Sequence, residues 1–400
     1  MPVMSFDVAR VRGLYPTVGA GTAQLEGSFS AVQPESVIRA IISTLRSSPA
    51  QPGSRSERSQ RSAASVLQAR RAVADLVGAS ADSVVLGTST FALLHRMAGM
   101  ISRDWQLGDE VVLSRMDADA NLQPWQRVAR SAGAAVHWAE VDLETGELPA
   151  WQYERLINGH TRVVTVPLAN AATGTVPDVR MIAALAHRHG ALVVVDAGAA
   201  VPYLPIDLDD LGADLLVLNA STFGGPTMAA VVARPGLLAE IGGDLTRPIP
   251  QRFELDPLPI ELLDGLTAAI DHIADLDQFA TGSRRERIVT SVEIAGDYQR
   301  RLFDQLDAAL RDVRGLTVLG SSSDRLPVAA FTAWRRSPDE VGEQLRRRGV
   351  SVWTGPSGMT ELMSAIGADE LGGACFLGLM PHTSAQEVDQ LLDALSDLLL

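Results

Sequence analysis

Asp196 closes the apolar run ALVVVD and is followed by Ala197, Gly198, Ala199 and Ala200. A carboxylate carried to the end of a buried strand, with only small residues behind it, stands at the ligand edge of an α/β sheet. There it can pair with a cationic ring nitrogen, a metal or a polar loop, and capping a turn is the plainer alternative. Thr88 and Ser89, in VVLGTST ahead of a helical stretch, offer hydroxyls and free backbone N–H groups. That suits a phosphate as well as simple N-capping. A third stretch, LNASTFGGP (218–226), leaves an apolar run and breaks into glycines, so it presents Asn219, Ser221 and Thr222 on a loop.

Other chemistry-bearing residues are more scattered. Asp117 and Asp119 follow a strand in SRMDADANLQPW and could form a carboxylate pair, but two ligands in a turn make a poor metal site. His160, His187, His189 and His382 lack metal-ligand spacing, and HRH at a helix end is favourable for dipole reasons without any function. The single cysteine, Cys375, lies in the apolar GGACFLGLM and reads as buried and inert; one thiol excludes an intramolecular disulfide and a Cys-rich metal centre. There is no GxGxxG, no P-loop with lysine, no HExxH and no GxSxG. GPSGM (355–359) and RSERSQRS (55–62) are turn-rich enough for a lid or an entrance loop, and ordinary solvated loops explain them equally well.

The elements that must position these residues alternate along the chain. Apolar strand patterns (VVLG, DEVVLSR, AAVHWAEVD, RVVTVPLA, ALVVVDA, ADLLVLNA, MAAVVARPG) are interleaved with amphipathic helical stretches, including one around 148–158. That alternation predicts a mostly parallel sheet covered on both faces. After RFELDP (252–257) long helices dominate, over roughly 258–279 and 284–312. LTVLG, LPVAAFTAW, a helix through DEVGEQLRRRG, VSVWTG, GACFLGL and a final helix follow. The expectation is a large domain over 1–283 and a smaller α/β domain over 284–400.

A chain of 400 residues with 46% apolar content can bury a large core. With 34 basic against 48 acidic residues its formal charge is −14, which argues against nucleic-acid and anionic-membrane partners. The start, MPVMSFDVARVRG, has no signal-peptide core and no run approaches membrane-spanning length, so the expected compartment is the cytoplasm.

In order, FDVARVRGLYP, VVLGTST, DADANLQPWQRVARSAG, ETGELP, TGTVPDV, ALVVVDAGAA, GADLLVLNASTFGGP, RFE, SRRERI and TSAQEVDQLL cover nearly the whole chain. This series resembles the class V aminotransferase and cysteine desulfurase family of pyridoxal-phosphate fold type I. The resemblance implies a seven-stranded, mostly parallel large-domain sheet, a small C-terminal domain and a homodimer. It also implies that Asp196 would salt-bridge the pyridine nitrogen and that Thr88 and Ser89 would cradle the phosphate.

The same resemblance places a Schiff-base lysine three residues before the glycine of Gly225-Pro226, where this chain has Thr222, with Ser221 at the preceding histidine position. All 34 basic residues are arginine, so no lysine exists to take its place. A guanidinium stays protonated and is a poor nucleophile, and a hydroxyl forms no imine. Other family positions depart together: the ring-stacking histidine falls at Asp119, the asparagine near the phenolic oxygen at Ala171 with Asn170 adjacent, and a glutamine or histidine at Ala199. The partner-reaching threonine falls at Pro257, the substrate-carboxylate arginine at Phe376, and the desulfurase loop cysteine near Thr360. The expectation is a degenerate member, a scaffold or regulator with no covalent cofactor and an unidentified protein partner or small anionic ligand. The alternative is an atypical enzyme with noncovalent pyridoxal phosphate or another phosphate-bearing ligand. A pocket lined by Asn219, Thr222, Thr88 and Asp196 would favour the alternative; one collapsed around Phe91 and Phe223 would favour the scaffold.

Overall fold

Side chains of successive residues in an extended strand point to opposite faces, so a strand that is apolar throughout needs cover on both sides. The computed structural model, which describes residues 6–19, 21–27, 29–242, 246–254, 257–320, 325–355 and 357–399, meets that requirement directly. In Leu192–Asp196, Val193 and Val195 enter one core while Val194 enters another on the opposite face. Leu215–Asn219 splits the same way, with Leu216 and Leu218 on one side and Leu215 and Val217 on the other.

These strands lie in a seven-stranded sheet ordered Val84–Gly87, Ala229–Ala233, Leu215–Asn219, Leu192–Asp196, Thr161–Pro167, Glu110–Ser114, Ala135–Ala139. Ala229–Ala233 runs antiparallel to both of its neighbours and the other pairings are parallel. The strand ends at Ser114, Pro167, Asp196 and Asn219 therefore emerge on one edge, where ligands of open α/β sheets gather. A second sheet of four antiparallel strands is ordered Trp353–Gly355, Ala374–Gly378, Val328–Ala333, Leu316–Leu319. Together the two sheets and their helices form a large α/β unit and a smaller C-terminal one.

Arg284–Asp312, a helix of 29 residues, leads into the smaller sheet. It starts at Ser283, whose hydroxyl accepts from the Glu286 N–H while the Glu286 carboxylate accepts from the Ser283 N–H, a reciprocal cap. At Gly296 the helix passes so near the chain that an added Cβ would stand 2.9 Å from the Tyr203 carbonyl oxygen.

Two sequence expectations are corrected. VSVWTG is not one strand: Val350–Ser351 pairs with Ala23–Gln24 near the N-terminus, and Trp353–Gly355 joins the four-stranded sheet. The helix expected around 148–158 is a 3₁₀ turn, Ala150–Gln152, followed by the single turn Tyr153–Leu156. Pro149 can open such a turn but Asn158-Gly159 soon ends it. Residues 1–5, Leu255 and Asp256 of RFELDP, and Pro356 of GPSGM lie outside the described residues.

Candidate functional site

The strand ends converge on a cavity of about 180 Å³. Asp196, Asn219, Thr222, Asn170 and Ala171 line it from the sheet edge, with Met116, Asp117 and Ala118 beyond. Phe29 and the C-terminal Ser357 and Met359 reach in from distant parts of the chain. Phe29 is set by aromatic packing, stacked on Trp353 at 5.6 Å and edge-on to Phe376 at 4.9 Å.

Thr222 sits in the 3₁₀ turn Ala220–Phe223, which Gly224 ends at φ +80. A side chain on Gly224 would also meet the Val32 carbonyl oxygen at 2.9 Å, so the loop needs glycine for both torsion and space. The Asn219 carboxamide oxygen accepts from the Ser221 N–H and hydroxyl at 3.2 and 2.9 Å, fixing the turn. The Thr222 hydroxyl lies 2.6 Å from the Gly198 carbonyl oxygen and 2.8 Å from that of Asn219. Having one proton, it donates to one of them at a time and braces the loop after Asp196 against its own turn.

Asp196 accepts from the Gly198 N–H at 2.8 Å. Asp117 is fully buried and accepts from the Ala118 N–H at 2.9 Å and the Asn121 carboxamide at 2.6 Å. Burial raises the Asp117 carboxyl well above the usual carboxylate range, and the nearby Asp196 charge raises it further against the pull of those hydrogen bonds. Burial likewise raises Asp196, partly offset by Gly198. Two interacting carboxyls in such surroundings favour holding a proton between them.

The structure gathers Asp196, Asn219 and Thr222 in one cavity and separates the remaining candidates. Thr88 and Ser89 line a different cleft of about 70 Å³ with Arg96, Phe253 and Pro257. The Ser89 hydroxyl caps the helix Thr90–Ile101 by accepting from Ala92 at 3.3 Å, and it is Thr90 that borders the Asp196 cavity. Asp119 also turns away. Its carboxylate accepts from the Thr360 N–H at 3.0 Å and hydroxyl at 2.7 Å, tying a C-terminal loop to the helix Asp119–Ala132. Phe223 is core, whereas Phe91 is exposed, so the cavity has not collapsed around them.

Asn170, adjacent to Ala171, donates to the Met116 carbonyl at 2.7 Å and accepts from the Ala172 and Thr173 N–H groups, both at 2.8 Å. Cys375 is buried, its thiol pushed up to about 12 by burial and by the Asp339 charge. Phe376 is core. His187 meets Asp214 at 2.9 Å, away from the cavity, and no grouping of three or more His, Cys, Asp or Glu among the described residues suits a metal. No helix among the described residues is long and apolar enough to cross a membrane.

Sequence reasoning passed over Asp117 as the partner of Asp196 and missed Phe29, while Ser357 and Met359 belong to GPSGM, the stretch read as either a lid or an ordinary loop. The pairing leaves no local signal, since parallel strands bring their ends together irrespective of distance along the chain.

An aminotransferase class-V family model matches residues 25–391. An uncharacterized protein of Mycobacterium tuberculosis (strain CDC 1551 / Oshkosh) is 39% identical over 399 residues, spanning 99% of this chain and 100% of its own. A cysteine desulfurase of Pectobacterium atrosepticum is 28% identical over 417 residues, covering 98% of each. Among solved structures, a cysteine desulfurase from Escherichia coli superposes with TM-score 0.84 at 23% identity, over 99% of this chain and 100% of that one. An apo cysteine desulfurase from Thermococcus onnurineus superposes at 0.86 and 21% identity, over 100% and 99%. With the family model spanning both sheets and the site at the strand ends, this chain belongs to the aminotransferase class-V family.

Proposed function

We propose that this protein is a class V aminotransferase-like scaffold or regulator that binds a small molecule without covalent pyridoxal-phosphate chemistry. Thr222 carries the reading. It stands where the resemblance places the lysine, its hydroxyl is held by backbone carbonyls, and no lysine exists elsewhere in the chain. The surrounding residues fit the cofactor poorly. Thr88 and Ser89 open on another cleft, Asp119 at the ring-stacking position offers no aromatic face and binds Thr360, and the core residue Phe376 falls at the substrate-arginine position. Each missing charged hydrogen bond forfeits about 1.5–3 kcal/mol.

The surviving cavity supports ligand binding over a purely structural remnant. It also supports a second reading, an atypical enzyme using noncovalent pyridoxal phosphate or another ligand, because Asp196, Asn219 and Thr222 still face one space. A homodimer accords with Ile42 and Leu45, two exposed apolar residues on one face of the helix Glu35–Arg46.

Titration of the purified chain with pyridoxal phosphate, followed by visible absorbance and calorimetry, tests the reading. The expected result is no imine band that borohydride fixes to the chain, other than at its N-terminal amine. An internal borohydride-fixed adduct would overturn the reading. Saturable heat with the spectrum of free aldehyde would select the second.

A further inference from the structure

We propose that the cleft between Arg314, the turn at Trp334 and Arg335, and the helix Pro338–Arg347 docks a short acidic segment of a partner protein, with carboxylate side chains flanking one aromatic or aliphatic residue. This supplies the scaffold reading above with a partner and rests on that reading. Its test uses no pyridoxal phosphate, so the two can fail separately.

The argument begins with charge. The cleft, of about 560 Å³, opens beside the edge strand Leu316–Leu319 of the small sheet and sets Arg314, Arg335 and Arg336 against Glu340 and Glu343. Both glutamates are already answered. Glu343 accepts from the Arg346 Nε at 2.8 Å and the Arg347 Nε at 2.9 Å, and Glu340 accepts from the Ser337 N–H at 2.9 Å as the cap of its helix. Arg336 donates to the Leu398 carbonyl at 3.0 Å. Arg314 and Arg335, among the described residues, have no carboxylate partner. In a chain of formal charge −14 they form a local positive island short of acceptors.

Trp334 adds an apolar anchor. It is 70% exposed, and the Arg335 guanidinium carbon lies 4.3 Å from its ring centroid. Arg335 holds φ +58, a left-handed torsion that a residue with a Cβ adopts only at a cost. The flanking backbone fixes it: the Trp334 N–H donates to the Gly315 carbonyl at 2.8 Å and the Arg336 N–H to the Ala333 carbonyl at 3.3 Å. Glycine would take this torsion freely, whereas arginine lays a guanidinium on the indole and leaves both in solvent. Tryptophan and arginine dominate binding at protein interfaces, and a guanidinium can pair with a carboxylate through two hydrogen bonds at once. A nucleic acid would carry its charge past the cleft onto an acidic molecule, but a short peptide segment meets the positive island alone.

The experiment is fluorescence anisotropy, titrating the full chain into fluorescein-labelled Glu-Glu-Phe-Glu-Glu, with Gln-Gln-Phe-Gln-Gln and a single-stranded DNA oligonucleotide as comparisons. The glutamate peptide is expected to saturate, to bind about tenfold or more tightly than the glutamine peptide, and to weaken as salt rises. Arg335→Gly accepts the same torsion, so it preserves the turn while removing the charge, and it should weaken the peptide about tenfold. Arg314→Gln, on a different loop, should do likewise, so the test survives misfolding of either variant. Failure of the glutamate peptide to bind, equal binding of the glutamine peptide, preference for the oligonucleotide, or binding that the folded variants leave unchanged would overturn the proposal. Self-association in sedimentation that the same variants abolish would give the cleft to a second copy of the chain and overturn it as well.

Discussion

At the scale of single residues, the cavity charges set a stability cost. The folded state raises the Asp117 carboxyl above its unfolded value through burial and the Asp196 charge. A group raised in this way stabilises the fold below its unfolded value near 3.9, and that contribution is lost as pH rises through its folded value. Asp117→Asn, which keeps the shape and removes the charge, is therefore expected to stabilise the protein at pH 8. The gain should shrink toward pH 4, where Asp117 is itself neutral. Denaturant unfolding at the two pH values checks this, and an equal effect at both would mean that charge is not the cause. Asp119 shows how fine the residue scale is: two positions from Asp117 on the chain, its carboxylate serves Thr360 outside the cavity.

At the scale of elements, a buried ion pair anchors the edge strand Val84–Gly87. Arg70, on the helix Glu57–Val77, meets Glu254 at 2.7 Å and donates to the Val84 carbonyl at 2.6 Å. The other Glu254 carboxylate oxygen accepts from the Leu86 N–H at 2.9 Å. Removing one partner strands a buried charge, so Glu254→Ala should cost about 3–5 kcal/mol. The double replacement Arg70→Met with Glu254→Met should cost much less, because it leaves no lone charge. Denaturant midpoints of the single and double variants decide the matter; equal losses would show that packing, not the stranded charge, dominates.

At the scale of the whole molecule, buried imidazoles join the N-terminal segment to both halves of the chain. The Tyr15 hydroxyl lies 2.8 Å from a ring nitrogen of His272, while the His382 ring packs edge-on to Tyr15 at 4.6 Å. Burial pushes both histidines down to about 4, with the His382 and Arg10 charges adding for His272. For His382 the Glu387 charge pulls upward, and Arg12 opposes it. Both groups are depressed below the unfolded value near 6.5, so their contribution is complete above that pH and is lost as pH falls toward 4. Stability should decline over that window by about 1.4 kcal/mol per pH unit for each histidine. His382→Gln should flatten the decline measured by unfolding across pH 7 to 4.5, and an unchanged slope would exclude His382 as a source.

What could be read from the chain by itself follows from local physics. Runs such as ALVVVDA and ADLLVLNA bury both faces, so strand positions, their alternation with helices and the arrival of Asp196 and Thr222 at one edge were legible. The absence of lysine is a matter of composition and needs no coordinates. Tertiary structure decided the rest. Asp117 shares a cavity with Asp196 because parallel strands of one sheet end on the same edge, Thr161–Pro167 lying between theirs, whereas Thr88 and Ser89 open on a cleft of their own. Phe29, Ser357 and Met359 enter the cavity from opposite parts of the chain. Local patterns report torsions and burial; which charges share a cavity depends on the packing of distant segments, and no single stretch encodes it.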